Sequence, residues 1–198
     1  GYYMKDQPKL VLASSSPFRK ELLKKIYPIF ETASPNIDES SQANETPLEL
    51  SKRLANEKAN ALRLDFPDHL IIGSDQVAML GDYQLTKPNT FENSVQQLTR
   101  SSGKTINFYT SFCILNSKTH ETITDTDICR VHMKTLSPLQ IQHYVERDKP
   151  YGCAAAFKSE GLGIALFEKI EGDDPNALVG LPLIKLIRSL DQMGVQIL

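Results

Sequence analysis

Short apolar runs and amphipathic stretches alternate along the 198 residues, divided by clusters of Ser, Thr, Pro, Asn and Gly. Residues 9–13, KLVLA, are few and rich in branched side chains, the pattern of a buried strand. Ser16 then fits an N-cap and Pro17 a first helical position, where a missing N–H leaves nothing unpaired, and FRKELLKKI repeats apolar residues at helical spacing. PIFETAS reads as a short strand and PNIDESSQANET as a polar loop. Thr46, Pro47 and Glu49 open a second helix that should run to about residue 65. Residues 69–75, HLIIGSD, form the next buried strand, expected to end at its polar residues, and Gly81-Asp82 makes a tight hairpin.

A helix over 91–100 precedes two alternating segments, KTINFYTSFCILNS and ETITDTDICRVHMKTL, which suit paired strands joined by a turn at 117–120. Ser137-Pro138 opens a helix through 147, GLGIALFEKIEGD reads as a strand or strand pair, and PLIKLIRSLDQM as a closing helix. Interleaved elements of both kinds predict an α/β fold, with the site at polar loops on the carboxyl ends of strands. One domain over residues 4–198 is expected, two lobes sharing one cleft; Gly1-Tyr2-Tyr3 before Met4 reads as a cloning remnant.

A formal net charge of −2 advertises no broad basic surface, so wrapping nucleic acid is not the expected role. Cys113, Cys129 and Cys153 are odd in number and lack CxxC spacing, which fits buried thiols of a reducing compartment and no zinc site. No apolar run approaches a membrane span and no signal-peptide core is present, so a cytoplasmic protein is expected.

Chemistry concentrates at a few places. LASSSPFRK is a strand-to-helix turn lined with hydroxyls that opens onto backbone N–H groups and the positive end of a helix dipole, an arrangement suited to anions. A capped helix start with Arg19 and Lys20 in solvent accounts for the same residues. Asp75 in IIGSDQ is suited to hold a divalent metal or take a proton from water, and equally to an ordinary turn or N-cap. Lys87 in LTKPN sits at a proline-fixed turn, and Lys58 in ANEKA reads first as a solvated helix face. Asp38 and Glu39 in NIDES, the FKSEG stretch with Glu160, and DPNALVGLP supply further polar groups. SSGKT at 101–105 ends like a P-loop, but Leu98 stands where that loop needs glycine, and the segment leaves a helix for a strand. Neither GxGxxG nor HExxH occurs.

In their order along the chain, SSSPFRKELL, NIDES, ANEKA, IIGSDQ, LTKP, SSGK followed by FYT, FKSEG and DPNALVGLP resemble the Maf family of nucleoside triphosphate pyrophosphatases. In GSDQ, FKSEG and the DPN–LVGLP segment the chain is similar to the subgroup associated with 7-methyl-GTP. The resemblance implies a mixed twisted sheet flanked by helices, as in inosine triphosphatases, with two lobes around a cleft. It implies hydrolysis between the α and β phosphates with a divalent cation, Mg²⁺ or Mn²⁺, in a family whose members are often homodimers. On these residues it makes Asp75 the proton acceptor and a metal ligand, with Asp38 and Glu39 near the metal. Ser14, Arg19, Lys58 and Lys87 would line the triphosphate, and Phe18, Gln76 and Glu160 would select the base. Many members carry arginine at the Phe18 position and an Ala-Gly pair where this chain has Ala155-Ala156. The competing expectations are a pyrophosphatase for dTTP or UTP, and a nucleotide-binding regulator of cell division without turnover.

Overall fold

The computed structural model describes residues 7–198; Gly1-Tyr2-Tyr3 lie outside the described residues. Its centre is a seven-stranded mixed sheet in the order β2-β1-β3-β5-β6-β7, with β4 pairing β3 off that path. The strands are β1 (Leu10–Ala13), β2 (Glu31–Ala33), β3 (Leu70–Leu80), β4 (Tyr83–Leu85), β5 (Thr105–Asn116), β6 (Thr122–Met133) and β7 (Phe167–Glu171). The helices are α1 (Pro17–Lys24), α2 (Pro47–Ala61), α3 (Phe91–Ser101), α4 (Pro138–Asp148), α5 (Pro175–Val179) and α6 (Leu183–Gln192).

β1 runs parallel to β2 and to the first residues of β3, whereas β3, β5, β6 and β7 follow one another antiparallel. One face of the β1 region packs Leu10, Leu12 and Phe112 against Leu23, Leu186 and Leu190 of α1 and α6. Its other face packs Val11, Ile71 and Leu115 against Ala55 and Ala59 of α2. Further along the same long strands, Leu98, Ile106, Phe108, Tyr144, Phe157 and Phe167 form a third core beneath α3 and α4.

Local chemistry accounts for the helix starts. Ser16 Oγ accepts the Arg19 N–H, and Thr46 and Ser137 each close a capping box, with Glu49 and Gln140 respectively. Thr46→Ala leaves one of these donors unsatisfied, and urea unfolding should show a loss of about 1 kcal/mol. Several boundaries depart from expectation. PIFETAS contributes only the three residues Glu31–Ala33, α2 stops at Ala61, and GLGIALFEKIEGD divides into a 3-10 turn, Leu162–Leu166, followed by β7. DPNALVGLP holds the five-residue α5, capped by Asp174. SSGKT lies between α3 and β5 and leads from helix to strand.

The largest departure concerns β3, which continues through Asp75 to Leu80. The polar residues of GSDQ do not end the strand, because β5 pairs with β3 from Leu70 to Met79 without interruption. On the opposite edge β3 pairs β1 from Leu70 to Gly73 and β4 from Ala78 to Leu80. Between these partners lie residues 74–77, with a strand neighbour on one side only. That gap in the sheet edge is where the cleft opens.

Candidate active site

A cleft of about 620 Å³ occupies the gap. Its walls are the β1–α1 turn (Ser14 to Arg19), Glu39, Lys58 on α2, Asp75 and Gln76 on β3, Lys87, and the segment carrying Cys153, Phe157, Ser159 and Glu160. Elements as distant in sequence as Ala13 and Val179 therefore meet around one space of nucleotide size.

Asp75 sits at its floor, 5% exposed. Lys58 Nζ donates to Asp75 Oδ1 at 3.0 Å and to the Ser74 carbonyl at 3.3 Å, and forms an ion pair with Glu39 Oε1 at 3.2 Å. Lys58 is thus buried and paired rather than on a solvated helix face, and it lies in the cleft with the other residues that the resemblance draws together. Asp75 is likewise neither an N-cap nor a turn residue. Its Oδ2 is buried and meets no donor among the described residues. Desolvation is the largest influence on this carboxyl and raises its pKa above the ordinary aspartate value; Lys58 and Arg19 pull it down, and Glu39 adds to the rise.

Arg19 leaves the first turn of α1 and donates from Nε to the Gly180 carbonyl at 2.9 Å. Burial lowers its pKa, with Asp75 and Glu39 opposing, but a guanidinium stays charged throughout the physiological range. Gly180 has φ +143°, and a Cβ there would stand 3.1 Å from Arg19 Nε, so the glycine of DPNALVGLP keeps the Arg19 side chain in place. Ser14 Oγ accepts the Ser16 N–H at 3.0 Å. The serine oxygens therefore organise the turn first, and the cleft receives the helix start they shape.

Lys87 is exposed at the rim, on a turn held by bonds from Gln97 Nε2 to the Thr86 carbonyl, Asn93 Nδ2 to the Pro88 carbonyl and Asn89 N–H to the Tyr151 carbonyl. Gln76 Nε2 donates to Thr110 Oγ1 and the carbonyls of Ala177 and Leu178, which fixes its amide against α5 and leaves the carboxamide oxygen as an acceptor. Phe18 is half-buried in the wall and Glu160 exposed in it. The loop carrying Glu160 is fastened at both ends: Lys158 N–H donates to Tyr144 Oη at 2.8 Å and Leu162 N–H to Asp148 Oδ2 at 2.9 Å. Phe157 meets Phe108 and Phe167 edge to face beneath it.

Asp38 is exposed, does not line the cleft, and closes a turn with Oδ1 accepting from Ser40 N–H and Oγ. Glu39 points to Lys58 instead. Among the described residues no three His, Cys, Asp or Glu side chains gather as a metal cage. Two hard oxygen donors, Asp75 with an unmatched buried oxygen and Glu39, fit a Mg²⁺-like ion, which takes one or two carboxylates and completes its shell with water and phosphate. Cys153 departs from the expectation of buried thiols. It is half-buried in the cleft wall, whereas Cys113 and Cys129 are buried. Sequence reasoning also passed over Tyr144 and Asp148, whose roles arise from contacts distant in the chain. No helix among the described residues is long and apolar enough to cross a membrane.

A mixed sheet with helices on both faces and a polar cleft at a strand gap places the chain in an α/β class that includes the Ham1 protein of Staphylococcus aureus. The two align with a TM-score of 0.52 and 15% identity, covering 94% of this chain and 100% of that one. Within that class the chain belongs to the Maf-like family, whose model matches residues 9–193. A relative named 7-methyl-GTP pyrophosphatase in Colwellia psychrerythraea is 51% identical over 189 residues, 96% of this chain and 94% of its own. A relative of the same name in Vibrio cholerae is 50% identical over 190 residues, 96% of this chain and 98% of its own.

Proposed function

We propose that this chain is a nucleoside triphosphate pyrophosphatase that hydrolyses 7-methyl-GTP to 7-methyl-GMP and pyrophosphate. The observation that carries the chemistry is the unpartnered Oδ2 of Asp75, a buried carboxylate on the floor of a cleft walled by cations. The names of the relatives support the choice of substrate.

Lys58 engages Asp75 through Oδ1, so Oδ2 is the oxygen left to take a proton from water. The water oxygen attacks the α phosphorus in line, the bond from that phosphorus to the α–β bridging oxygen breaks, and pyrophosphate leaves. A triphosphate brings about four negative charges near neutral pH, and their neutralisation is the largest catalytic contribution available. Arg19, Lys87, Ser14 and the start of α1 face that charge, and Lys58 adds its ammonium to the same wall while holding Asp75 and Glu39. Asp75 and Glu39 would hold Mg²⁺ or Mn²⁺, which when bound neutralises phosphate and leaving-group charge.

Phe18 offers a face on which the cationic 7-methylguanine ring stacks, and Glu160 offsets its charge. The Gln76 carboxamide oxygen accepts from the base edge. The deciding experiment is pyrophosphate release with Mg²⁺ or Mn²⁺ across 7-methyl-GTP, GTP, dTTP and UTP. A kcat/KM highest for 7-methyl-GTP is expected; a pyrimidine preference would overturn the base assignment, and tight binding without release would favour a regulator. In the same assay Phe18→Arg, which sets a cation against a cationic base, should lower the preference for 7-methyl-GTP over dTTP by about tenfold or more. An unchanged ranking would show that Phe18 does not select the base.

A further inference from the structure

Glu39, the more exposed of the two carboxylates on Lys58, lies in a segment without regular structure between β2 and α2. A carboxylate 61% exposed on such a segment keeps no fixed position unless its backbone is held. The holding group is Arg53 of α2, a residue outside the cleft lining. Its Nε and Nη2 grip Glu45 as a fork, at 2.6 and 3.0 Å. Nη1 donates to Glu57 Oε2 at 2.7 Å, and Nη2 donates also to the Ser40 carbonyl at 2.9 Å. Glu45 Oε1 in turn accepts the Gln42 N–H. On the other side of Glu39, Asp38 Oδ1 binds Ser40 N–H and Oγ. Glu39 is therefore bracketed by a guanidinium fork and a carboxylate turn. Both fasten the backbone at Ser40.

We infer that Arg53 and Asp38 are positioning residues that hold the Glu39 carboxylate against Lys58 at the cleft. This rests on the proposed pyrophosphatase reading for its catalytic consequence and on geometry alone for the anchoring. A guanidinium spreads several donors in one plane and fits this three-way grip, which a lysine ammonium does not reproduce although it carries the same charge. A misplacement near 1 Å in such a group costs about a hundredfold in rate when the group acts at the reacting centre.

The test compares Arg53→Lys, Asp38→Ala, Glu39→Gln and the Arg53→Lys/Glu39→Gln pair by amide hydrogen exchange and by pyrophosphate release from 7-methyl-GTP. Arg53→Lys should speed exchange at the Ser40 and Gln42 amides at least tenfold and lower kcat/KM about tenfold to a hundredfold; Asp38→Ala should do the same more weakly. Glu39→Gln should lower kcat/KM without speeding that exchange. The double variant should be no slower than Glu39→Gln alone, since Arg53 acts only through Glu39, an outcome that a general structural role would not produce. Unchanged exchange in Arg53→Lys overturns the anchoring. Faster exchange with parental kcat/KM, or losses that multiply in the double variant, overturns the positioning role. A parent that releases no pyrophosphate from any nucleotide fails the functional reading separately, and the exchange comparison then decides the anchoring by itself.

Discussion

Asp75→Asn is expected to lower pyrophosphate release roughly a thousandfold while nucleotide binding persists. The side chain keeps its shape, but an amide cannot take the proton of the attacking water, and no other described carboxylate lies buried on the cleft floor. Arg19, Lys87 and the start of α1 remain to hold phosphate. Single-turnover release together with calorimetric binding separates the two effects, and parental turnover in the variant would end the proposed mechanism. A second consequence follows from the raised pKa of this carboxyl. The folded chain holds its proton more tightly than the unfolded chain, so stability is complete below the ordinary aspartate pKa and is lost as pH rises through the folded value. Asparagine removes that loss, and Lys58 retains Glu39 as partner. The variant should unfold at neutral pH no earlier than the parent in a thermal scan, the behaviour of a site that trades stability for activity.

Gly73→Ala should be the most destabilising small substitution in the sheet. A Cβ at residue 73 would lie 2.2 Å from the Ala55 carbonyl oxygen and 2.7 Å from the Ala59 nitrogen, both backbone atoms of α2. Neither can turn aside, so the helix has to lift from β3, at a cost of about 3 kcal/mol. Because α2 carries Lys58 and β3 carries Asp75, the same displacement separates the ion pair of the cleft floor. Urea unfolding should show the stability loss, and kcat/KM should fall in the fraction that remains folded. Parental stability would mean that α2 does not approach the strand this closely.

How much of this was legible beforehand follows the range of the interactions. The turn LASSSPFRK could be read because its cap, proline and helical repeat act within a few residues, and α1 begins at Pro17 as expected. The boxes at Thr46 and Ser137 are local in the same sense. Read from α2 alone, Lys58 faces solvent, because nothing on that helix says that β3 will bury it; the resemblance is what sets it at the cleft, where the structure has it. The end of β3 was misplaced for a related reason: its polar middle faces a gap left by β1 and β4, and only the pairing of distant strands creates that gap. The resemblance gathers Asp75, Glu39, Arg19 and Lys58 without any geometry, while nothing in it points to Arg53 or Tyr144. Arg53 had one local sign, a glutamate four residues on at Glu57, and that spacing alone reads as a routine helix pair.

The eleven-residue β3 and the twelve-residue β5 and β6 run unbroken beneath both halves of the molecule. Opening the cleft like a jaw would require bending three hydrogen-bonded strands at once. The floor of the cleft is consequently a stiff spine, and Asp75, Gln76 and Lys58 stand on it at spacings set before any ligand enters. The rim is tied as well, at Ser40 beside Glu39, at the turn carrying Lys87 and at both ends of the loop carrying Glu160, so binding costs little ordering entropy in the chain and no swing of one half against the other.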